Sequence, residues 1–377
     1  MAVAEFARIA EALGGYGHSN TRHGRSGRAG ILIESETAEV SLDMGNERQG
    51  FLHSALVYRS ERECGDHVTR FVAEGLAAGE PVLVAMPEAN LATLGDELCG
   101  GPGRSRTGLR LADIAEIARN PCRFLAVASS FAEEHPDRRV RFVSQLAWPG
   151  RSADELVACA QHEALVNGAF EGRPVTGLCL YDASRLDDDV LASARTTHPL
   201  LWSHGALQRS TEYAPDDALE ACNQPLTANP RAVTYTVRKS EDLRPARSFA
   251  VDYAGWVGLP RDGIADLQLV ATELATNSLT YADGACRLSF WREGEHLICE
   301  ARDSGRLDDL LAGRVNPGSA GRASRGLFLV NALSELVRTH TTATGTTIRA
   351  YLRCEPSPRS ADRAPAGPPP PAEPPAS

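Results

Sequence analysis

The chain has 377 residues, 42% of them hydrophobic, so it is long enough for two or three cored domains and too apolar for wholesale disorder. Its net charge of −10 argues against non-specific nucleic-acid binding, which needs clustered cations. Lys239 is the only lysine, so a lysine-based phosphate clamp is excluded elsewhere in the chain. Nine cysteines lie dispersed without a CxxC pair, several inside apolar runs, which is the pattern of reduced core thiols. No 18-residue apolar run could span a membrane, and the start lacks a basic segment followed by an apolar one. A cytoplasmic protein is expected.

Residues 1–47 combine a short helix-like start with a Gly/Ser/Arg/His stretch at 14–30 and are expected to be disordered. From Phe51 the pattern becomes regular. A strand is expected over 51–58, a helix over 63–78, and a buried strand over 81–86, where the apolar run is continuous. A helix over 89–98, apolar runs at 109–117 and 124–127, a helix over 154–167, a strand over 175–181 and a helix near 190–196 follow. This alternation predicts an α/β unit with a mostly parallel sheet over 48–212. Residues 213–228 are rich in turn formers and carboxylates and read as a linker.

Beyond the linker, a second unit is expected over 229–354. Its elements are a strand at 232–238, helices at 242–257 and 261–281, and a hairpin of strands 286–292 and 296–302 turning on Gly294. A helix at 326–335 and strands at 336–342 and 346–353 complete it. Residues 355–377 form a Pro-rich tail, expected to be disordered.

Four features of this second unit carry chemistry. Glu273 and Asn277 are four residues apart on one helix and share a face. An Asn carbonyl is a hard neutral ligand for Mg²⁺, and a carboxylate one turn earlier can serve phosphoryl transfer. Each alone is commonplace on helix surfaces. Asp303, with Gly305 two residues on, closes an apolar strand, where a carboxylate can accept a purine amine hydrogen bond. Glycines 313, 318, 321 and 326 make a loop that runs into a helix, a ready anion site to which Arg322 and Arg325 add charge. Finally, Gly345 and Thr346 open the last strand, where the threonine hydroxyl can reach a base through water.

Taken in order, these features resemble the N, G1, G2 and G3 boxes of the GHKL ATPases. The stretch 229–354 is most similar to their anti-sigma-factor serine kinase branch, down to the helix-opening residues 243–247 and the Gly258-Leu259-Pro260 break. The resemblance implies a Bergerat-fold α/β sandwich using ATP and Mg²⁺. In it Asn277 holds the metal and Glu273 is the general base. Asp303 reads adenine, Gly305 lets the base pack closely, Gly321, Arg325, Gly326 and Leu327 cover the phosphates, and Thr346 assists at the base. Two departures, Leu307 and Ser324 at positions where the family commonly has glycine, favour nucleotide binding over efficient turnover.

The resemblance implies phosphorylation of an anti-sigma antagonist, sequestration of a sigma factor, or both, and a homodimer. The alternatives are a non-catalytic ATP-binding switch and a protein-sequestering module. A sensor histidine kinase is disfavoured, because no histidine lies between His204 and His296 to act as phosphoacceptor.

In the first unit, the stretches 50–58, 75–84, 162–167, 179–182 and 197–199 resemble the MEDS sensory domain over about 48–205. That resemblance implies a RecA-like fold without a nucleotide loop, sensing an unknown small molecule, with His53 and His198 marked for a signal pocket. A metal site built from His53, His162, Glu163, His198 and Cys159 matches no standard zinc spacing, so these residues are read as packing groups. Trp148 and Trp202 are read the same way.

Overall fold

The computed structural model describes residues 50–101, 106–203, 205–317 and 322–354. The disorder expected for the two ends falls outside them, as do Gly318 and Gly321 of the glycine loop.

The N-terminal part runs β1 (Leu52–Tyr58), α1 (Glu61–Ala77), β2 (Val82–Met86), α2 (Glu88–Cys99), β3 (Leu109–Asp113) and the one-turn helix α3 (Ile114–Ile117). It continues with α4 (Phe124–Glu133), β4 (Val140–Ser144), α5 (Ala153–Ala169), β5 (Val175–Asp182), α6 (Asp188–Thr197), β6 (Leu200–Ser203) and β7 (Ala206–Arg209). The strands form one sheet in the order β3-β2-β4-β5-β1-β6-β7. All neighbours are parallel except β6 and β7. The expected mostly parallel sheet is therefore present, closed at one edge by an antiparallel hairpin.

Local chemistry explains the boundaries. Ser60 caps α1 by accepting from the Glu63 amide, and Ser152 with Glu155 forms a reciprocal capping box at α5. In β2 every residue is buried, as expected of a central parallel strand covered on both faces.

The structure assigns the two apolar runs that the sequence left without an element. The apolar run 124–127 is the first turn of α4, a helix apolar enough to be buried almost all round. The run 109–117 breaks at Asp113, whose carboxylate accepts from the Ala115 amide and so starts α3.

The C-terminal part runs α7 (Pro215–Cys222), β8 (Val233–Val237), α8 (Leu243–Val257), α9 (Arg261–Tyr281), β9 (Cys286–Glu293) and β10 (His296–Asp303). It ends with α10 (Arg322–Leu333), β11 (Leu336–Thr342) and β12 (Gly345–Arg353). The five strands form an antiparallel sheet ordered β11-β12-β10-β9-β8. Helix α7 lies inside the stretch read as a linker. Pro215 at its N-terminus and acidic residues in its first turn suit a helix start, and Ala218 and Cys222 bury its inner face.

Helices α8 and α9 cover one face of this sheet, with Val270, Leu274, Leu288, Phe290 and Cys299 at the centre of the shared core. The other face is not left to water. Trp291, Ile298, Leu336 and Tyr351 pack there with Ala158 of α5. The N-terminal part thus supplies the third layer of the C-terminal sandwich. Among the described residues, no helix is long and apolar enough to cross a membrane.

Candidate functional site

Helix α9 buries Leu267, Val270, Ala271, Leu274, Ala275 and Ser278, a continuous stripe at helical spacing. Glu273 and Asn277 lie beside that stripe, half-buried, and Asn277 faces a space over the end of β10. There a cavity of about 500 Å³ opens between α9, the end of β10 and the segment 305–315. Asn277, Asp303, Gly305, Leu327 and Thr346 all line it, together with apolar Leu274, Ala301, Leu307 and Ile348. An apolar slot with a few convergent polar groups is the usual architecture of a small-molecule site.

The carboxylate of Asp303 is held from two sides. Ser278 Oγ donates to Oδ2, and the Gly305 amide donates to Oδ1 at 2.8 Å. Thr346 Oγ1 donates to the Gly305 carbonyl at 2.8 Å and lies 2.8 Å from Thr341 Oγ1, which accepts from the Leu307 amide at 3.0 Å. The turn after β10 is therefore tied to both terminal strands. Ser278 and Thr341 were not singled out in the sequence; their role depends on strand pairing that local spacing does not reveal.

Asn277 Nδ2 is buried and has no hydrogen-bond partner. A buried unpaired N–H donor is costly, about 1–3 kcal/mol, and points to an acceptor group on a ligand that completes it. Next to it, a Cβ at Gly326 would lie 2.7 Å from Glu273 Oε2 and 3.3 Å from Asn277 Nδ2. Only glycine lets the first turn of α10 approach α9 this closely. At Gly305 the excluded side chain would instead meet the end of α9, at 2.9 Å from Ala282 Cβ.

The remaining expected residues are placed as follows. Glu273 lies behind Asn277 against Gly326 and does not line the cavity. Arg325 is exposed on α10, which begins at Arg322, four residues before the expected start at 326. Gly321 lies outside the described residues. His53 and His198 are both buried, their ring centroids 4.0 Å apart.

The cavity also touches the N-terminal part. Leu311 and Val315 line it and at the same time pack against the N-terminal core around Phe124 and Phe142. Between them Arg314, only 6% exposed, donates to Gln161 Oε1 of α5 and contacts Cys122 Sγ. Arg123 donates to the carbonyls of Asn331, Ala332 and Ser334, satisfying the C-terminal end of α10. Asn120 donates to the Asn331 carbonyl at 3.0 Å, and Arg338 pairs with Asp154.

Two family models match separate stretches of the chain. Residues 52–199 match the family model described as MEDS, the methanogen/methylotroph, DcmR sensory domain. Residues 236–352 match the histidine kinase-like ATPase domain. No curated protein matches the chain significantly.

Among solved structures, the SiaB-SiaC complex from Pseudomonas aeruginosa is 14% identical, covering 32% of this chain and 90% of that one, with a TM-score of 0.28. The RsbU and RsbW domains of Rv1364c from Mycobacterium tuberculosis are 17% identical, covering 55% of this chain and 50% of that one, TM-score 0.26. The Acinetobacter baumannii histidine kinase AdeS is 11% identical, covering 53% of this chain and 96% of that one, TM-score 0.22.

Proposed function

We infer, from a chain that joins a MEDS sensory domain to a histidine kinase-like ATPase domain, that it is an ATP-binding regulator of the anti-sigma-factor serine kinase type. The observation that carries this is the cavity beside α9. It is lined by both Asn277, whose amide nitrogen lacks a partner, and the doubly anchored Asp303 carboxylate, in a largely apolar slot.

In this reading Asp303 accepts from the adenine amine, with Thr346 beside it, and Gly305 keeps the turn flush with α9. Asn277 holds Mg²⁺ through its side-chain oxygen. Magnesium supplies charge neutralisation for the phosphates. The start of α10, with Gly326 and Leu327 just over one turn in from Arg322, lies toward the phosphate chain, and the Arg325 guanidinium adds charge there. Glu273 takes the proton from the attacking hydroxyl of a Ser or Thr on an antagonist protein as the γ-phosphoryl group passes to it and ADP departs. The partner is an anti-sigma antagonist, a sigma factor, or both in turn, and the protein acts in the cytoplasm, as a homodimer.

Control by the sensory domain has a direct physical route. Leu311 and Val315 belong to the wall of this cavity and pack on the N-terminal core, and Arg314 between them is tied to Gln161 of α5. A signal that moves α5 therefore biases the wall of that cavity. A cavity of about 170 Å³ at the carboxyl ends of β1, β2 and β5, lined by Tyr58, Asn90, Gln145 and Asp182, is the place for a small-molecule signal. Ligands of open parallel sheets bind at that end.

A second reading, an ATP-responsive switch without turnover, is favoured by one feature. Glu273 is pressed against Gly326 instead of facing the cavity. Incubation of the full chain with Mg-ATP and an antagonist protein encoded beside its gene separates the two. Phosphoserine or phosphothreonine on the antagonist, abolished by Glu273→Gln, supports the kinase. Saturable ATP binding without transfer supports the switch, and absence of ATP binding removes both.

A further inference from the structure

We propose that the N-terminal domain holds a tetrahedral divalent metal ion, best matched by Zn²⁺, ligated by His53, Glu163, Cys179 and His198. This site is independent of the nucleotide cavity and of the function inferred for it.

The four residues come from separate elements. His53 is on β1, Cys179 on the adjacent parallel strand β5, Glu163 on α5, and His198 directly follows α6. All are buried, with exposures of 1%, 2%, 3% and 0% respectively. One ligand atom from each lies within 4.8 Å of all the others.

Proton positions are fixed by the surroundings. The Asn167 side-chain nitrogen donates to the carbonyls of Glu163, Ala164 and Thr197, so its oxygen faces His53 Nδ1 at 3.0 Å. His53 Nδ1 must therefore carry the hydrogen. His198 Nδ1 lies 2.8 Å from the Ala194 carbonyl, which can only accept, so it carries the hydrogen too. Both Nε2 atoms are then bare lone pairs turned inward.

His53 Nε2 sits 3.2 Å from Glu163 Oε2 and 3.3 Å from Cys179 Sγ. Cys179 Sγ is 3.3 Å from the same carboxylate oxygen, and His198 Nε2 is 3.5 Å from it. His198 Nε2 has no hydrogen-bond partner. Among the four facing atoms there are three acceptors and a single S–H donor. Such an arrangement repels itself unless a cation occupies its centre.

The charge balance agrees. With both Nδ1 atoms protonated and hydrogen-bonded outward, the inward Nε2 atoms cannot donate to Glu163, so a buried carboxylate sits between two lone pairs without a counter-ion.

A divalent ion resolves both defects. With metal–nitrogen distances of about 2.0–2.1 Å and metal–sulfur of about 2.3 Å, the edges of a tetrahedron are about 3.3–3.7 Å, close to the spacing seen. Binding expels the Cys179 thiol proton to solvent and forms the metal–thiolate bond. The dication, one thiolate, one carboxylate and two neutral imidazoles then sum to zero charge. The backbone carbonyl behind His198 and Asn167 behind His53 are the outer partners that fix a metal-bound histidine.

Sequence spacing alone pointed away from such a site, because the histidines, Glu163 and Cys159 match no standard zinc pattern. The structure substitutes Cys179, which parallel pairing with β1 brings beside His53. Cys159 instead donates to the Leu146 carbonyl. Helix α5, which carries Glu163 into the cluster, also carries Gln161 and Asp154 to the C-terminal domain, so the metal anchors the element on which that domain rests.

The test is elemental analysis of the full chain expressed in zinc-supplemented medium, followed by denaturation, chelation and refolding with Co²⁺ as the optical probe. About one equivalent of zinc per chain is expected, and the refolded Co²⁺ protein should show intense tetrahedral d–d bands with a thiolate-to-cobalt charge-transfer band. Cys179→Ser should remove the charge-transfer band while keeping the d–d bands. Asn167→Ala, one layer out, should weaken metal affinity about 10–100-fold with the fold retained by circular dichroism. A folded wild-type chain with no zinc and no cobalt spectrum overturns the proposal. So does metal retained in full, with an unchanged spectrum, by folded Cys179→Ser and His198→Ala.

Discussion

The molecule contains two convergent polar clusters built on opposite principles. Around Asn277 and Asp303 the groups line an open slot of about 500 Å³. Around His53 and Glu163 the groups face one another at 3.2–3.5 Å in a sealed interior. An open cluster suits a ligand that must enter and leave, whereas a sealed one suits a resident ion bound during folding. The contrast shows why polar burial alone does not identify a site: what distinguishes the two is whether room has been left for an exchangeable molecule.

Four changes break or sharpen this contrast. The largest effect is expected for Asp303→Asn, which presents an N–H where the slot needs an acceptor. Losing a charged hydrogen bond of about 1.5–3 kcal/mol should weaken Mg-ATP binding about 10–100-fold by calorimetry, with the metal content of the N-terminal domain unchanged. Next is Gly326→Ala. Its methyl group would sit 2.7 Å from Glu273 Oε2, so the Glu273 carboxylate must swing away from the site, at about 1–2 kcal/mol of stability in denaturant titration.

Arg314→Met keeps much of the volume but leaves Gln161 Oε1 without its donor. Thermal unfolding should register about 1–2 kcal/mol, and any signal that reaches the cavity beside α9 through α5 should be attenuated. An unchanged melting temperature would remove Arg314 from the account.

The smallest effect concerns Glu335. Burial would raise its carboxyl, but the His296 hydrogen bond and the charges of Arg119 and Arg353 bring it down to about 2. Because the folded value lies below the ordinary 4.5, its contribution is complete above that pH and is lost as pH falls toward 2. Glu335→Gln should flatten the stability profile across that window, and an identical profile would contradict the assignment.

Much of the C-terminal fold was legible because its signals are local. The Asn277 helix, Asp303 at a strand end and the hairpin at Gly294 are each defined within a few residues. The mostly parallel N-terminal sheet was legible from apolar runs such as 82–86.

What escaped was either unpatterned or long-range. Strand β4 hides in Val140–Ser144, short and interrupted by Arg141. Helix α7 was masked by the prolines and carboxylates around it, although Pro215 at its start is a helix signal. The partners Arg123 and Asn331 are 208 residues apart, and His53 and Cys179 are 126 apart; no spacing rule relates them. Periodicity shows which residues turn inward but not which meet.

The most direct measurement is isothermal calorimetry of the full-length chain with Mg-ATP, run in parallel on Asp303→Asn. The account predicts saturable one-site heat for the wild-type protein and a loss of about 10–100-fold in affinity for the variant. A folded wild-type chain that releases no heat with nucleotide, or a variant that binds as tightly as wild type, would contradict it.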